Sequence, residues 1–194
     1  MFPLLRASLV AAFATACLTV ASIAATAPDK PFENSDLADS AVQLEAQIKA
    51  DAGAPTKPLA QIRHDADTAF SKNDFRTGMA LLGQIVAAQP NDATTWLRLA
   101  KTILQIRPKD DNERAMLLER ASTAAYIAYQ RTADRNQEAD SLAFLGTTLA
   151  QRQLWRPALD SLRLSLELRE VADIRAQYER MHQPAGGRER QFEL

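Results

Sequence analysis

The residues able to do chemistry are few and scattered. Cys17 is the only thiol, and His64 and His182 are the only imidazoles. A single cysteine can form neither a disulfide framework nor a cysteine-based metal site. Two histidines 118 residues apart have no metal-ligand spacing. His64 beside Asp65 and Asp67 is the one grouping that could serve as an acid–base centre. No nucleophile or orienting partner accompanies it, so a solvated helix residue is the plainer reading. The six glycines never form a phosphate loop, and neither Gly-x-Ser-x-Gly nor His-Glu-x-x-His occurs. The expectation is a chain that is not an enzyme, with no cofactor, no metal and no small-molecule substrate. Lys and Arg number 23 against 24 Asp and Glu, a balance with no electrostatic footprint for nucleic acid. Glu113, Arg114, Glu119 and Arg120 read as an exposed, salt-laced helix surface. Trp96, Tyr126 and Tyr129 could stack a ligand, but aromatics at helical spacing are more often core.

The elements that would position these residues are helices. Ala (36) and Leu (24) dominate, while Ile (8) and Val (5) are scarce, which disfavours any sheet-based fold. At the N-terminus, Arg6 precedes an uncharged run, Ala7–Ala27, that closes in the small pairs Ser22-Ile23-Ala24 and Ala25-Thr26-Ala27. That pattern is a secretory signal peptide over 1–25, with cleavage after Ala24 or Ala25 and a secreted, periplasmic product. A retained anchor or lipidation at Cys17 are the alternatives, and only they would bring the chain to a membrane. Residues 26–58 read as a linker with one helix, Ser35 as its N-cap and Leu37, Ala41, Leu44 and Ile48 on its apolar face. Residues 59–182 are helical in pattern, with breaks at Lys72–Asp74, Pro90–Asp92, Arg107–Asp111, Asp134–Gln137 and Gln151–Gln153. The tail, 183–194, holds Pro184, Gly186 and Gly187 among dense charge and reads as disordered.

Helices in pairs demand a search for repeats, and one is present. Ala66 and Ala100 are 34 residues apart, and Gly146 follows at 34 plus an insertion of 12. An offset of 80 relates Phe75 to Trp155, Gly78 to Ala158, Leu82 to Leu162 and Ala88 to Leu168. A 34-residue helix–turn–helix period with small residues, a mid-unit aromatic and a closing Pro90 resembles the tetratricopeptide repeat. The small residues would sit where paired helices cross, and Phe75 and Trp155 would fill the gap at the turn. The expected fold is therefore all-α, an α-solenoid of two to three tetratricopeptide-like hairpins, with 171–181 as a capping helix. The resemblance implies a concave partner-binding face on the first helices, carrying Arg63, Asp67, Leu97, Lys101, Gln105, Thr147 and Gln151. Asp67 and Thr147 stand where the family's carboxylate clamp needs Asn, so capture of peptide C-termini is not implied.

A second resemblance spans roughly Leu37 to Met181. Asn73-Asp74-Phe75-Arg76-Thr77-Gly78, Trp96-Leu97-Arg98-Leu99-Ala100, 120–130 and Leu154-Trp155-Arg156-Pro157-Ala158-Leu159 look like the leader region of bacterial alpha-2-macroglobulin family proteins. Such proteins are periplasmic and trap proteases, many through a thioester between Cys and Gln. This chain ends where they continue into β-sandwich domains, and it has no cysteine after Cys17. The resemblance therefore implies a leader module, truncated, separately encoded or altered by a frame change, that serves as a scaffold or docks a protein partner or neighbouring domain. An envelope-assembly or lipoprotein-type tetratricopeptide adaptor is the alternative.

Overall fold

A computed structural model of the chain describes residues 30–53 and 57–182. The expected signal peptide and tail lie outside the described residues, as do 54–56 of the proline-containing break. The described residues are all-α, with eight helices and no strand. They run α1 (Ser35–Ala52), α2 (Leu59–Ser71), α3 (Phe75–Ala88), α4 (Ala93–Ile103), α5 (Asp111–Arg131), α6 (Arg135–Gln151), α7 (Trp155–Leu168) and α8 (Ala172–His182). From α2 onward each helix packs against the next, while α1 returns across α3 and α5.

Acidic and amide side chains set most of the helix starts. Asp74, Asp92, Asp110 and Asp134 each accept a hydrogen bond from a backbone N–H three residues on, the bond an N-cap supplies. At α1 the cap is Asn34, whose Oδ1 accepts from Leu37 N at 2.9 Å. Ser35, expected to cap, is instead the first helical residue. The break before α6 likewise falls earlier than expected, at 132–134, because Asp134 caps a helix that already includes Arg135.

Two helix ends share one geometry. Asn73 N donates to Phe70 O and Asp74 N to Ala69 O, each at 2.9 Å. Gln153 N donates to Ala150 O and Leu154 N to Leu149 O, again each at 2.9 Å. Both turns place a non-glycine residue in the left-handed region, as a Schellman-type helix end requires. The α4–α5 connection closes differently, with Gln105 N on Thr102 O and Ile106 N on Ile103 O.

The core runs from α1 to α7. Ile62, Leu82, Ile85, Trp96, Tyr129, Leu142, Leu145, Leu149 and Leu162 are fully enclosed. Trp96 is satisfied there by donating from Nε1 to Pro90 O at 2.8 Å. Helix α5 is flanked by α1, α4 and α6, so Ala121, Ala124, Ala125 and Ala128 are all buried. Trp96, Tyr126 and Tyr129 are therefore core side chains. The small residues Ala66, Ala100 and Ala158 are fully buried. A Cβ on Gly146 would stand 2.7 Å from Leu162 Cγ and 2.9 Å from Ala158 O.

Two expectations are corrected. Within residues 30–34, read as linker, Lys30 and Phe32 are buried. Phe32 meets Tyr126 and Tyr129 edge-on and donates its N–H to the Tyr129 hydroxyl at 2.9 Å. Lys30 is buried, 3.2 Å from Glu138 Oε2, and donates from Nζ to Thr132 O at 2.9 Å. These partners lie in α5, in α6 and between them, about a hundred residues away, beyond the reach of local pattern. The second correction concerns Trp155. Phe75 fills its turn by packing on Phe70, with ring centroids 6.5 Å apart. At the offset of 80 the partner of Phe70 is Ala150, which offers no ring, and Trp155 is 40% exposed.

Candidate interaction face

The expected face divides into an open half and a covered half. On α2, Arg63 and Asp67 lie one turn apart and both reach α4. Arg63 Nη2 lies 3.0 Å from Asp92 Oδ2 and also donates to Gln89 Oε1, while its Nη1 approaches Thr95 Oγ1. Asp67 pairs with Arg98, whose guanidinium lies 4.6 Å from the centre of the half-buried Phe70 ring. Helix α4 is buried except along one narrow stripe, Thr94, Arg98 and Lys101, and Gln105 extends it past the helix end. Arg98 and Thr94 were missed in the sequence reading, although polar residues at 94, 98, 101 and 105 follow the helical 4-3-4 spacing. Leu97, placed on the face by that reading, points into the core and is 7% exposed.

The other half lies on α6. Thr147 Oγ1 is 3.1 Å from Gln177 Oε1 of α8 and 2.9 Å from its own helix at Ala143 O. Asp140 pairs with Arg169, and residues 137–150 include none that is exposed. Gln151, at the helix end, is exposed. The structure thus brings Arg63, Asp67, Lys101 and Gln105 to one surface with Arg98, and sets Thr147 apart under α8.

The electrostatics of the open half are those of a fixed network. Burial alone would raise the Asp92 carboxyl, but the Thr95 hydroxyl and amide and the Arg63 guanidinium outweigh it and hold its pKa below the usual range. This carboxylate caps α4 and ties it to α2 at once. On the neighbouring surface Glu113 is also held low, by the Lys109 amide and then by Arg76 of α3. Arg114 contacts Asp111 within its own helix, and Glu119 is exposed.

The acid–base grouping is not assembled. His64 is exposed, the Asp65 carboxylate is taken by Lys57 and Gln61, and that of Asp67 by Arg98. Among the described residues no group of three His, Cys, Asp or Glu could hold a metal ion, and no helix is long and apolar enough to cross a membrane.

No family model matches the chain, and no curated protein matches it.

Proposed function

We propose that this protein is a non-enzymatic, secreted helical-repeat module that docks a protein partner or neighbouring domain. In this reading it is a tetratricopeptide-like stack akin to the leader of a bacterial alpha-2-macroglobulin family protein. The observation that carries the repeat reading is the pair of helix ends at Asn73 and Gln153, whose left-handed residues and two closing hydrogen bonds recur at the sequence offset of 80. Repeats of this kind gain stability from neighbour contacts and present extended side-chain surfaces, which suits docking rather than turnover. The α2–α4 surface supplies such a display: Asp67 of α2 is exposed beside the stripe of Arg98, Lys101 and Gln105, and the rest of α4 is packed. The macroglobulin reading rests on the sequence likeness of 73–78, 96–100, 120–130 and 154–159, and export rests on the pattern of 1–25.

A thioester trap is outside the reach of this chain, since no thiol follows Cys17. Intact-mass measurement of periplasmic material should give a species that begins at Ala25 or Thr26. Incubated in molar excess with a protease, that material should leave digestion of a large protein substrate unimpeded. A full-length or acylated mass contradicts soluble export. Stoichiometric protection of the substrate contradicts the docking-module reading.

A further inference from the structure

Three of the glycines lie inside helices, and packing explains two of them. A Cβ on Gly78 would come within 2.1 Å of the Phe70 ring, and one on Gly146 would collide with Leu162 and the Ala158 carbonyl. Gly83, in the middle of α3, differs. A Cβ there would meet only Ile48 Cγ2, at 3.8 Å, an ordinary contact. Glycine inside a helix lowers stability relative to alanine, so its presence without a steric reason needs another one.

The space in front of Gly83 is a cleft of ≈230 Å³ between α1 and α3. Leu44, Ile48 and Met79 form its walls, and Leu99 and Ile103 of α4 line it from beneath. Arg120 of α5 borders it, half buried. Among the described residues the Arg120 guanidinium has no ion-pair partner and makes no side-chain hydrogen bond, unlike those of Arg63, Arg76, Arg98 and Arg131. Asp51, the one acidic side chain bordering the cleft, is exposed and forms no ion pair with Arg120. A largely apolar cleft, with Gln47 and Gln84 the uncharged polar residues of its lining and the half-buried Arg120, free of ion pairs, at its edge, matches a ligand with an apolar body and a single planar anion. A guanidinium takes a carboxylate through two parallel N–H···O bonds, a geometry ammonium groups do not offer.

We propose that this cleft binds a free medium-chain fatty acid, its alkyl chain lying over Gly83 and its carboxylate held by Arg120. The volume sets the chain length: an apolar cavity of about 150 Å³ accommodates a six-carbon ring, so the cleft takes on the order of nine carbons. Burial of the chain against Leu44, Ile48, Met79 and Leu99 supplies the driving force, and the guanidinium sets the orientation. The site uses none of the α2–α4 surface residues and does not rest on the docking proposal. It also departs from the sequence expectation of no small-molecule ligand, because Gly83 and Arg120 are 37 residues apart and only the packing of α1, α3 and α5 brings them together.

The test is calorimetric titration of the whole protein with sodium octanoate, against octan-1-ol as the uncharged analogue. The expected result is saturable one-to-one binding of octanoate, weakened at least tenfold in the alcohol and in Arg120→Gln. Gly83→Leu, which fills the cleft, should abolish binding while its denaturation midpoint stays equal to or above that of the parent. The proposal is overturned by absence of saturable octanoate binding, by equal affinity for octan-1-ol, or by an Arg120→Gln variant that binds as the parent does. A Gly83→Leu variant with a lowered midpoint overturns it too, since the space would then not be open. Binding of an apolar peptide that octanoate does not displace would assign the cleft to protein docking and also overturn it.

Discussion

Asn73 and Gln153 stand 80 residues apart and hold the same left-handed backbone conformation, with φ of 58° and 64°. Each closes a helix whose neighbour begins two residues later, at Phe75 and Trp155. Asparagine tolerates this region better than glutamine, which has no short side chain to hydrogen-bond its own backbone. Gln153→Gly should therefore raise stability by about 0.5–1 kcal/mol, and Asn73→Gly by less. Urea midpoints at constant slope check the order; a destabilised Gln153→Gly would mean that its side chain, not its backbone, holds the turn.

The residue after each left-handed position differs in kind. Asp74 caps α3 by accepting from Thr77 N, whereas Leu154, its counterpart, is 41% exposed and gives α7 no side-chain cap. Leu154→Asp should supply the missing bond and stabilise by about 0.5–1 kcal/mol. Thermal unfolding of the variant beside Leu154→Ala separates the gained cap from the lost apolar surface: only the aspartate should raise the midpoint.

The three helical glycines should respond to alanine in three ways. At Gly146 the new Cβ meets the Ala158 carbonyl, 2.9 Å away, as well as Leu162. Backbone cannot yield as a side chain can, so Gly146→Ala should cost about 2–3 kcal/mol. Gly78→Ala meets the half-buried Phe70 ring, which can shift towards solvent, and should cost about 1–2 kcal/mol. Gly83→Ala has room and gains helix propensity, up to roughly 1 kcal/mol. Equal midpoints across the series would mean that the helix crossings are misplaced.

Alkaline unfolding should report on the N-terminal segment. Burial pushes the Tyr129 hydroxyl from 10.0 up to about 12, and Tyr126 moves in the same direction for the same cause. A pKa raised by folding gives stability that is complete below the unfolded value and disappears as pH climbs through the folded one. Stability should thus hold to pH 10 and fall between pH 10 and 12. Tyr129→Phe should flatten part of that slope, yet lower stability at neutral pH by about 1–3 kcal/mol because Phe32 N–H loses its acceptor. An unchanged alkaline limb would show that Tyr129 is not enclosed.

Much of the fold was legible because it is local. Pro90, the aspartate caps and the Ala/Leu periodicity act within a few residues, so the helix breaks fell near their observed places. The small residues at 66, 100 and 146 were legible as enclosed positions, and at Gly146 the close approach of α7 leaves no room for a side chain. What escaped depends on partners far along the chain. Lys30 and Phe32 look like linker residues until Glu138, Thr132 and Tyr129 are placed around them. Trp155 reads as a buried aromatic until Ala150 is found where Phe70 stood. On the candidate face, Arg63, Asp67, Lys101 and Gln105 were read from their place on the first helices. Arg98 escaped because the repeat register puts Leu97 on the face, one residue off the exposed stripe.

The docking proposal is tested most directly by photo-crosslinking in cells that produce the native protein. A photoreactive amino acid replaces Lys101 or Gln105 on the open surface, and the exposed Arg114, near the start of α5, serves as the control. Irradiation is expected to give one discrete protein adduct from both surface positions and none from the control. No adduct at Lys101 or Gln105, or an equal one at Arg114, would contradict a partner-binding role for the α2–α4 face.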